Sequence, residues 1–150
     1  MNTAPNPLPV GTELGRTALR VADRDAVADF YRHVAGLPVL DSGEPTVLGA
    51  EDPLLVLLED EGDRDQTAPG LFHTAVRVPT RAALGDALAR IRDRWQLEGA
   101  SDHGVSEALY LSDPEGNGVE IYSDRPREQW PRTDDDGVDE ALVDCCFRGS

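Results

Sequence analysis

The chain has 150 residues, enough for one compact core, and its 14 basic residues, all arginine, stand against 29 acidic residues for a net charge of −15. The longest apolar run, residues 54–58, is far shorter than the roughly 20 residues of a membrane-spanning helix, and the arginines are scattered along the chain. These features argue against a membrane protein, and they disfavour a nucleic-acid partner, which needs a clustered positive surface.

The excess of acidic residues is typical of a salt-adapted protein. An unscreened charge of −15 opposes compaction, whereas at ~1 M salt the Debye length falls to about 3 Å and the repulsion largely disappears. A halophilic source is therefore the leading interpretation. The other is an ordinary acidic protein from a high-GC organism that favours arginine codons.

The first predicted segment, residues 1–12, is a proline-rich and flexible lead-in. It lacks the basic and apolar regions of a signal peptide, so we expect a cytoplasmic protein. The two cysteines, Cys145 and Cys146, are adjacent, and this spacing fits neither a disulfide framework nor a zinc site.

A first module is predicted over residues 13–60. Residues 14–21 alternate as in a strand, and a helix follows over residues 23–34, with Asp23 as its N-cap and Gly36 at its end. Short strands are predicted at 38–40, 46–49 and 54–58.

A second module, over residues 70–125, repeats the order of the first after an acidic linker. The predicted elements are a strand at 71–78, a helix at 80–95 and strands at 97–99, 108–112 and 118–122. Between the last two strands, the Asn117-Gly118 pair favours a tight hairpin. Residues 126–150 are predicted to form a C-terminal tail.

The two modules begin with nearly the same sequence. Residues 14–21 read Leu-Gly-Arg-Thr-Ala-Leu-Arg-Val, and residues 71–78 read Leu-Phe-His-Thr-Ala-Val-Arg-Val. This repeat indicates a fold built by duplication. The main chemical difference is Arg16 in the first copy against His73 in the second.

The second module resembles the vicinal oxygen chelate superfamily, which includes glyoxalase I, bleomycin-resistance proteins and extradiol dioxygenases. The resemblance is carried by His73 in the opening strand and by the closing Asp-Pro-Glu-Gly-Asn-Gly-Val-Glu-Ile-Tyr hairpin at 113–122. Residues 99–111 and Arg125-Pro126 are similar to the first half of catechol 2,3-dioxygenase-like proteins. The resemblance implies an α+β fold of two βαβββ modules, whose curved mixed sheets pair around a cleft.

The resemblance also implies a metal site with His73 and Glu120 as ligands. Fe(II) is the expected ion, with Mn, Ni or Zn as other candidates, because two histidines and a carboxylate form the facial triad of Fe(II) oxygenases. The matching positions in the first module are Arg16 and either Val56 or Leu57. None of these binds a metal, so the chain supplies two ligands.

Four further residues are candidates for the same site. His103 is predicted as the missing ligand or a proton-shuttling base, although a structural histidine is an equally good interpretation. Tyr110 and Tyr122 are predicted to act on a bound oxygen ligand, against the alternative of packing residues. Arg16 either clamps an anionic substrate or forms a salt bridge with Glu120.

The first functional hypothesis is a metal-dependent extradiol dioxygenase-like protein acting on an aromatic diol or a similar small molecule. The alternative is a metal-free binding protein of the bleomycin-resistance type, or a non-catalytic half of a longer dioxygenase. A homodimer is expected, because sheets with open edges are often covered by a second chain.

Overall fold

The computed structural model describes residues 11, 15–60, 62 and 73–132. The first module consists of a strand, a helix that continues into a π-helical turn, and three strands. The second module repeats this order and ends in a 3₁₀ turn. In chain order the elements are β1 (Thr17–Val21), α1 (Arg24–Phe30), the π-helical turn (Tyr31–Ala35), β2 (Val39–Asp41), β3 (Thr46–Gly49), β4 (Pro53–Glu59), β5 (His73–Arg77), α2 (Arg81–Arg94), β6 (Gly99–Asp102), β7 (Ser106–Ser112), β8 (Gly118–Asp124) and the 3₁₀ turn (Arg127–Gln129).

The two modules have the same sheet topology. The first sheet has the strand order β1-β4-β3-β2, and the second has the order β5-β8-β7-β6. In each sheet the first and last strands of the module are parallel, and the remaining neighbours are antiparallel. The expected α+β fold of two paired βαβββ modules is confirmed.

The helix ends follow the sequence signals. Asp23 Oδ1 accepts a hydrogen bond from the Ala26 N–H at 2.9 Å, which caps the start of α1. At the other end, Gly36 adopts a left-handed conformation with φ of 87°. The predicted helix over 23–34 is therefore present, but its last turn widens into a π-helix.

One hydrophobic core serves both modules. The cluster includes residues from α1, α2 and the inner faces of both sheets. Phe30 packs edge-on against Trp95 at the end of α2, with ring centroids 5.1 Å apart. Tyr31 is fully buried beside Thr74 of the second module, and this burial raises the pKa of its hydroxyl. The burial of Phe30 and Tyr31 of the first module against residues of the second therefore joins the modules.

A carboxylate also connects the modules. Glu115, in the turn between β7 and β8, accepts hydrogen bonds through Oε1 from the N–H groups of Ala22 and Asp23, at 2.6 and 2.8 Å. These donors belong to the two residues that immediately precede α1. We call this contact the Glu115 clasp.

β7 and β8 form a hairpin, but the prediction of a tight turn at Asn117-Gly118 is wrong. The loop spans residues 113–117 and pairs Ser112 with Gly118, and its left-handed residue is Gly116, with φ of 81°. The buried Asp113 organises the loop, because Oδ1 accepts hydrogen bonds from the backbone N–H groups of Glu115 and Asn117, each at 2.9 Å.

The second strand of the second module also differs from its prediction. Residues 97–99 were expected to form this strand, but β6 begins at Gly99 and runs to Asp102. Its Gly-Ala-Ser-Asp sequence has low strand propensity, so the strand owes its formation to pairing with β7.

Parts of the predicted termini lie outside the described residues: residues 1–10, 12 and 133–150. The described beginning of the predicted tail is held against the second module, because the Trp130 indole donates a hydrogen bond to the Arg125 carbonyl at 2.8 Å. In the described part of the chain, no helix is both long and apolar enough to span a membrane.

Candidate functional site

Three polar side chains meet on the face of the second sheet that points away from the core. His73 begins β5, Glu120 lies on β8 and Tyr110 lies on β7. The register pairs Tyr110 with Glu120, and Ala75, two residues after His73, with the same Glu120. Because alternate residues of a strand share a face, these side chains lie together, while their neighbours Val119, Ile121 and Leu109 enter the core.

His73 and Glu120 are in direct contact. The distance from His73 Nε2 to Glu120 Oε2 is 3.1 Å, and the two side chains are 29% and 16% exposed. They are thus partly sheltered yet reachable from solvent. The structure brings the two residues together, and their role as metal ligands stays a prediction.

Tyr110 connects this pair to His103, which lies in the turn after β6. The Tyr110 hydroxyl is 3.0 Å from His103 Nε2 and donates to Glu120 Oε1 at 3.5 Å. When the Tyr110 hydroxyl donates to Glu120, His103 Nε2 is the donor to the hydroxyl oxygen; in the other imidazole tautomer, the hydroxyl donates to His103 Nε2. The result is a continuous hydrogen-bond path from His103 through Tyr110 to Glu120.

Imidazole nitrogen and carboxylate oxygen are suitable donors for a divalent ion of the Fe(II), Mn(II) or Zn(II) type. A contact of 3.1 Å between the two donor atoms is compatible with a shared ion at bond lengths of about 2.1 Å. Within the described residues, however, no group of three His, Cys, Asp or Glu side chains converges on one point. The site therefore fits a metal through two protein ligands.

The first module contributes different chemistry at the corresponding place. In the sheet register Val56 pairs with Ala18, as Glu120 pairs with Ala75, so Val56 rather than Leu57 corresponds to Glu120. Both residues are buried, but only Leu57 belongs to the core cluster. Arg16 is exposed immediately before β1, and its role as a substrate clamp stays a prediction.

Tyr122 lies on the same face as Glu120, two residues further along β8. It is paired with Arg77 on one side and with Ala108 on the other. Its side chain is half-buried. It therefore borders the His73–Glu120 pair, and its predicted catalytic role is untested.

Sequence reasoning missed the path from His103 to Glu120. The signal that could have found it is the loop length: five residues from 113 to 117 place Tyr110 opposite Glu120. A two-residue Asn-Gly turn implies another register and separates the two side chains. The predicted strands at 108–112 and 118–122, however, leave the observed five-residue loop, so the pairing of Tyr110 with Glu120 follows from them.

Comparison with known proteins identifies the family. The sequence profile of the Glyoxalase/Bleomycin resistance protein/Dioxygenase superfamily matches residues 13–121. The chain belongs to this superfamily. In fold, it is similar to a lactoylglutathione lyase from Agrobacterium tumefaciens, with a TM-score of 0.60 and 25% identity over 77% of this chain and 96% of that one. A glyoxalase/dioxygenase from Nostoc punctiforme gives a TM-score of 0.67 at 20% identity, over 83% of this chain and 100% of the other.

Two curated relatives are dioxygenases. The chain is 39% identical over 127 residues to catechol-2,3-dioxygenase of Bacillus subtilis (strain 168), which covers 81% of this chain and 45% of the relative. It is 38% identical over 119 residues to biphenyl-2,3-diol 1,2-dioxygenase 3 of Rhodococcus globerulus, covering 65% and 63%. The superfamily member described here thus spans about half the length of these relatives.

Proposed function

We propose that this superfamily member is a divalent-metal-dependent protein of the extradiol dioxygenase type, acting on an aromatic diol. The observation that carries the proposal is the 3.1 Å contact between His73 Nε2 and Glu120 Oε2 on a partly exposed sheet face. The names of the two curated relatives support the substrate class and the reaction type.

In this proposal His73 and Glu120 hold the ion, with Fe(II) expected first. When bound, such an ion supplies open coordination positions for the substrate oxygens and for oxygen. A third protein ligand would have to come from outside the described residues or from a second copy in the predicted homodimer.

His103 and Tyr110 act on protons. An imidazole can serve as a general acid or base, and the Tyr110 hydroxyl lies 3.0 Å from His103 Nε2. A substrate hydroxyl that binds beside Glu120 can pass its proton to the Tyr110 oxygen, while the Tyr110 hydroxyl hydrogen passes to an unprotonated His103 Nε2, 3.0 Å away. The path therefore serves as a general acid and base next to the reacting oxygen.

A second candidate function is a metal-free binding protein that sequesters a planar or anionic molecule. The direct His73–Glu120 contact favours it, because each side chain already provides the other with a polar partner. Arg16 and Val56, which replace ligands in the first module, agree with it. This function needs no ion at the pair.

Metal analysis separates the two functions. The chain is purified in high salt without oxygen, loaded with Fe(II) and desalted, and its iron content is compared with that of His73→Ala and Glu120→Gln. His33→Ala is the matched control, because His33 is a half-exposed histidine on the π-helical turn and pairs only loosely with Asp29, at 3.9 Å.

The dioxygenase proposal expects near-stoichiometric iron in the original chain and in His33→Ala, a loss of at least tenfold in the other two variants, and oxygen consumption with catechol. Iron that binds equally well without His73 contradicts the proposal. Folded, iron-free protein that still binds catechol supports the metal-free function.

A further inference from the structure

Two hydroxyl groups are buried where the modules meet. One belongs to Tyr31, a fully buried residue of the π-helical turn, and the other belongs to Thr74 of β5. Tyr31 Oη and Thr74 Oγ1 are both closed to solvent, and neither forms a hydrogen bond with any residue that the structure describes. Buried hydroxyls in folded proteins nearly always have a hydrogen-bond partner, because an unpaired one is costly. The two hydroxyls therefore indicate a site for a small polar molecule.

A buried carboxylate lies close to the same hydroxyls. Burial raises the pKa of the Tyr31 hydroxyl most, the charge of Asp113 raises it further, and the neighbouring Thr74 hydroxyl lowers it. Asp113 is itself only 4% exposed. Its Oδ2 accepts a hydrogen bond from the Asn117 amide at 2.8 Å and keeps lone pairs for another donor. The π-helical turn, β5 and the loop between β7 and β8 thus bring two donors and one acceptor to the same buried region.

One water molecule matches this set of groups. Its oxygen can accept a hydrogen bond from each hydroxyl, and one of its hydrogens can be donated to Asp113 Oδ2. Buried waters make about three hydrogen bonds, typically to buried polar groups that have no other partner. An apolar occupant would leave both hydroxyls unpaired, so the polar lining selects water.

Thr74 is well placed to position His73. The two residues are adjacent, and their side chains leave opposite faces of β5: Thr74 pairs with Val119 of the core cluster, whereas His73 pairs with Gly118. His73 is the first residue of β5, and the glycine opposite it has no side chain to support the imidazole. The direction of the imidazole therefore depends on how this end of the strand is held, and the Thr74 side chain holds it from the interior.

We propose that Tyr31 and Thr74 are positioning residues for His73, and that they act through one buried water shared with Asp113. The water ties the start of β5 to the π-helical turn of the first module, and this tie fixes the direction of the imidazole. The inference rests on the proposed function, because His73 is a metal ligand only there. The first module then contributes to a site on the second sheet without supplying a ligand.

The first test is the effect of the Tyr31 hydroxyl on stability. Tyr31→Phe removes the hydroxyl and keeps the ring. A hydroxyl that is bonded to water stabilises the fold, so the melting temperature should fall by about 2–4 °C. A crystal structure of the original chain should show a water within about 3.2 Å of both hydroxyl oxygens. A melting temperature that stays unchanged or rises in Tyr31→Phe, or a crystal structure without this water, overturns the proposal.

Variants of Thr74 test the positioning of His73. Thr74→Val keeps the shape of the side chain without the hydroxyl, and Thr74→Ser restores the hydroxyl. In Thr74→Val the imidazole NMR signals of His73 in the metal-free chain at neutral pH should shift or broaden, and Fe(II) should bind about tenfold more weakly. Thr74→Ser should retain both properties of the original chain. Unchanged His73 signals in Thr74→Val contradict the positioning.

Thr46→Val is the matched control, because the buried Thr46 hydroxyl donates a hydrogen bond to the Gly43 carbonyl at 3.2 Å within the first module. It should lower the melting temperature to a similar extent and leave the His73 signals and the iron affinity unchanged. Equal changes at His73 in Thr46→Val would show a general loss of stability and contradict the proposal. If the original chain binds no iron, the dioxygenase proposal fails, whereas the His73 signals of the metal-free variants still decide the positioning.

Discussion

Val56 holds in the first sheet the place that Glu120 holds in the second. Val56 is paired with Ala18 on β1, and Glu120 is paired with Ala75 on β5, at matching positions of the sequence repeat. One module therefore presents an ionisable group where the other presents an apolar one. This asymmetry limits the described part of the chain to two candidate metal ligands.

The asymmetry can be reversed by substitution. Val56→Glu alone should lower the free energy of unfolding by about 3 kcal/mol without metal, because Val56 is only 8% exposed and the new charge has no partner. The double variant Arg16→His/Val56→Glu should bind Fe(II) or Zn(II) more tightly than the original chain and recover stability when loaded. Calorimetric titration with each ion measures both effects.

Arg16→His alone is the matched control, since it adds an imidazole without a carboxylate. A double variant whose stability does not respond to either metal would show that positions 16 and 56 do not converge with each other on a bound ion.

Removal of the Tyr110 hydroxyl should affect proton transfer rather than metal binding. Tyr110→Phe breaks the path between His103 and Glu120 but keeps the aromatic ring in place. On the proposed function, catechol turnover should fall about 10²-fold, and the iron content should stay as it is. Steady-state oxygen consumption across a pH range measures the change and its pH dependence.

Tyr122→Phe is the control for a tyrosine on the same face and the same sheet. If catechol turnover falls equally in Tyr110→Phe and Tyr122→Phe, the hydrogen-bond path through Tyr110 does not set the rate.

The Arg81–Glu107 pair predicts a specific pH dependence of stability. The folded chain lowers the pKa of Glu107, chiefly through its hydrogen bonds to Arg81. A carboxyl with a depressed folded pKa stabilises the fold above its unfolded pKa of about 4.3, and this contribution is lost as the pH falls through the folded value.

Denaturant unfolding of the original chain and of Arg81→Gln should therefore differ at pH 7 and converge as the pH falls below about 4. Arg92→Gln should follow the original chain throughout. A gap between the original chain and Arg81→Gln that widens in acid would contradict the assigned role of the pair.

Asp113 should be the most sensitive residue of the β7–β8 loop. It is 4% exposed and accepts hydrogen bonds from two backbone N–H groups and from the Asn117 amide. Asp113→Ala leaves these donors without a partner and should lower the free energy of unfolding by about 2–3 kcal/mol. Chemical denaturation provides the value, and Asp86→Ala, on the exposed face of α2, should cause no comparable loss.

The net charge of −15 predicts a strong salt dependence. The free energy of unfolding should rise as NaCl is increased from 0.1 to ~1 M, because screening removes repulsion among the acidic side chains. Chloride is the suitable anion, since sulfate also strengthens apolar burial. A stability that is flat across this range would remove the support for a halophilic source.

Periodicity and the internal repeat predicted two modules of one strand, one helix and three strands each, with the helices and most strands placed within a few residues, and the family resemblance implied how the two sheets pair. They failed where pairing outweighs local propensity. The Gly-Ala-Ser-Asp strand β6 forms only because β7 lies beside it, and the β7–β8 loop depends on the side chain of Asp113 rather than on Asn117-Gly118.

For the site, the repeat and the resemblance pointed to His73 and Glu120, which the structure brings into contact. The contact of His103 with Tyr110 depends on the pairing of β6 with β7, and the predicted strand at 97–99 misses most of β6. Contacts between modules, such as the Glu115 clasp, have no local signal at all, since they join residues more than 90 positions apart.

The Glu115 clasp has a consequence for how the protein will respond to ligands. Because this carboxylate and the shared core tie the first module to the second, we expect the duplicated halves to melt in a single cooperative transition. A molecule captured only by His73 and Glu120 will then raise the melting temperature of the entire described domain, so a thermal-shift screen can detect occupants of one sheet through the unfolding of both.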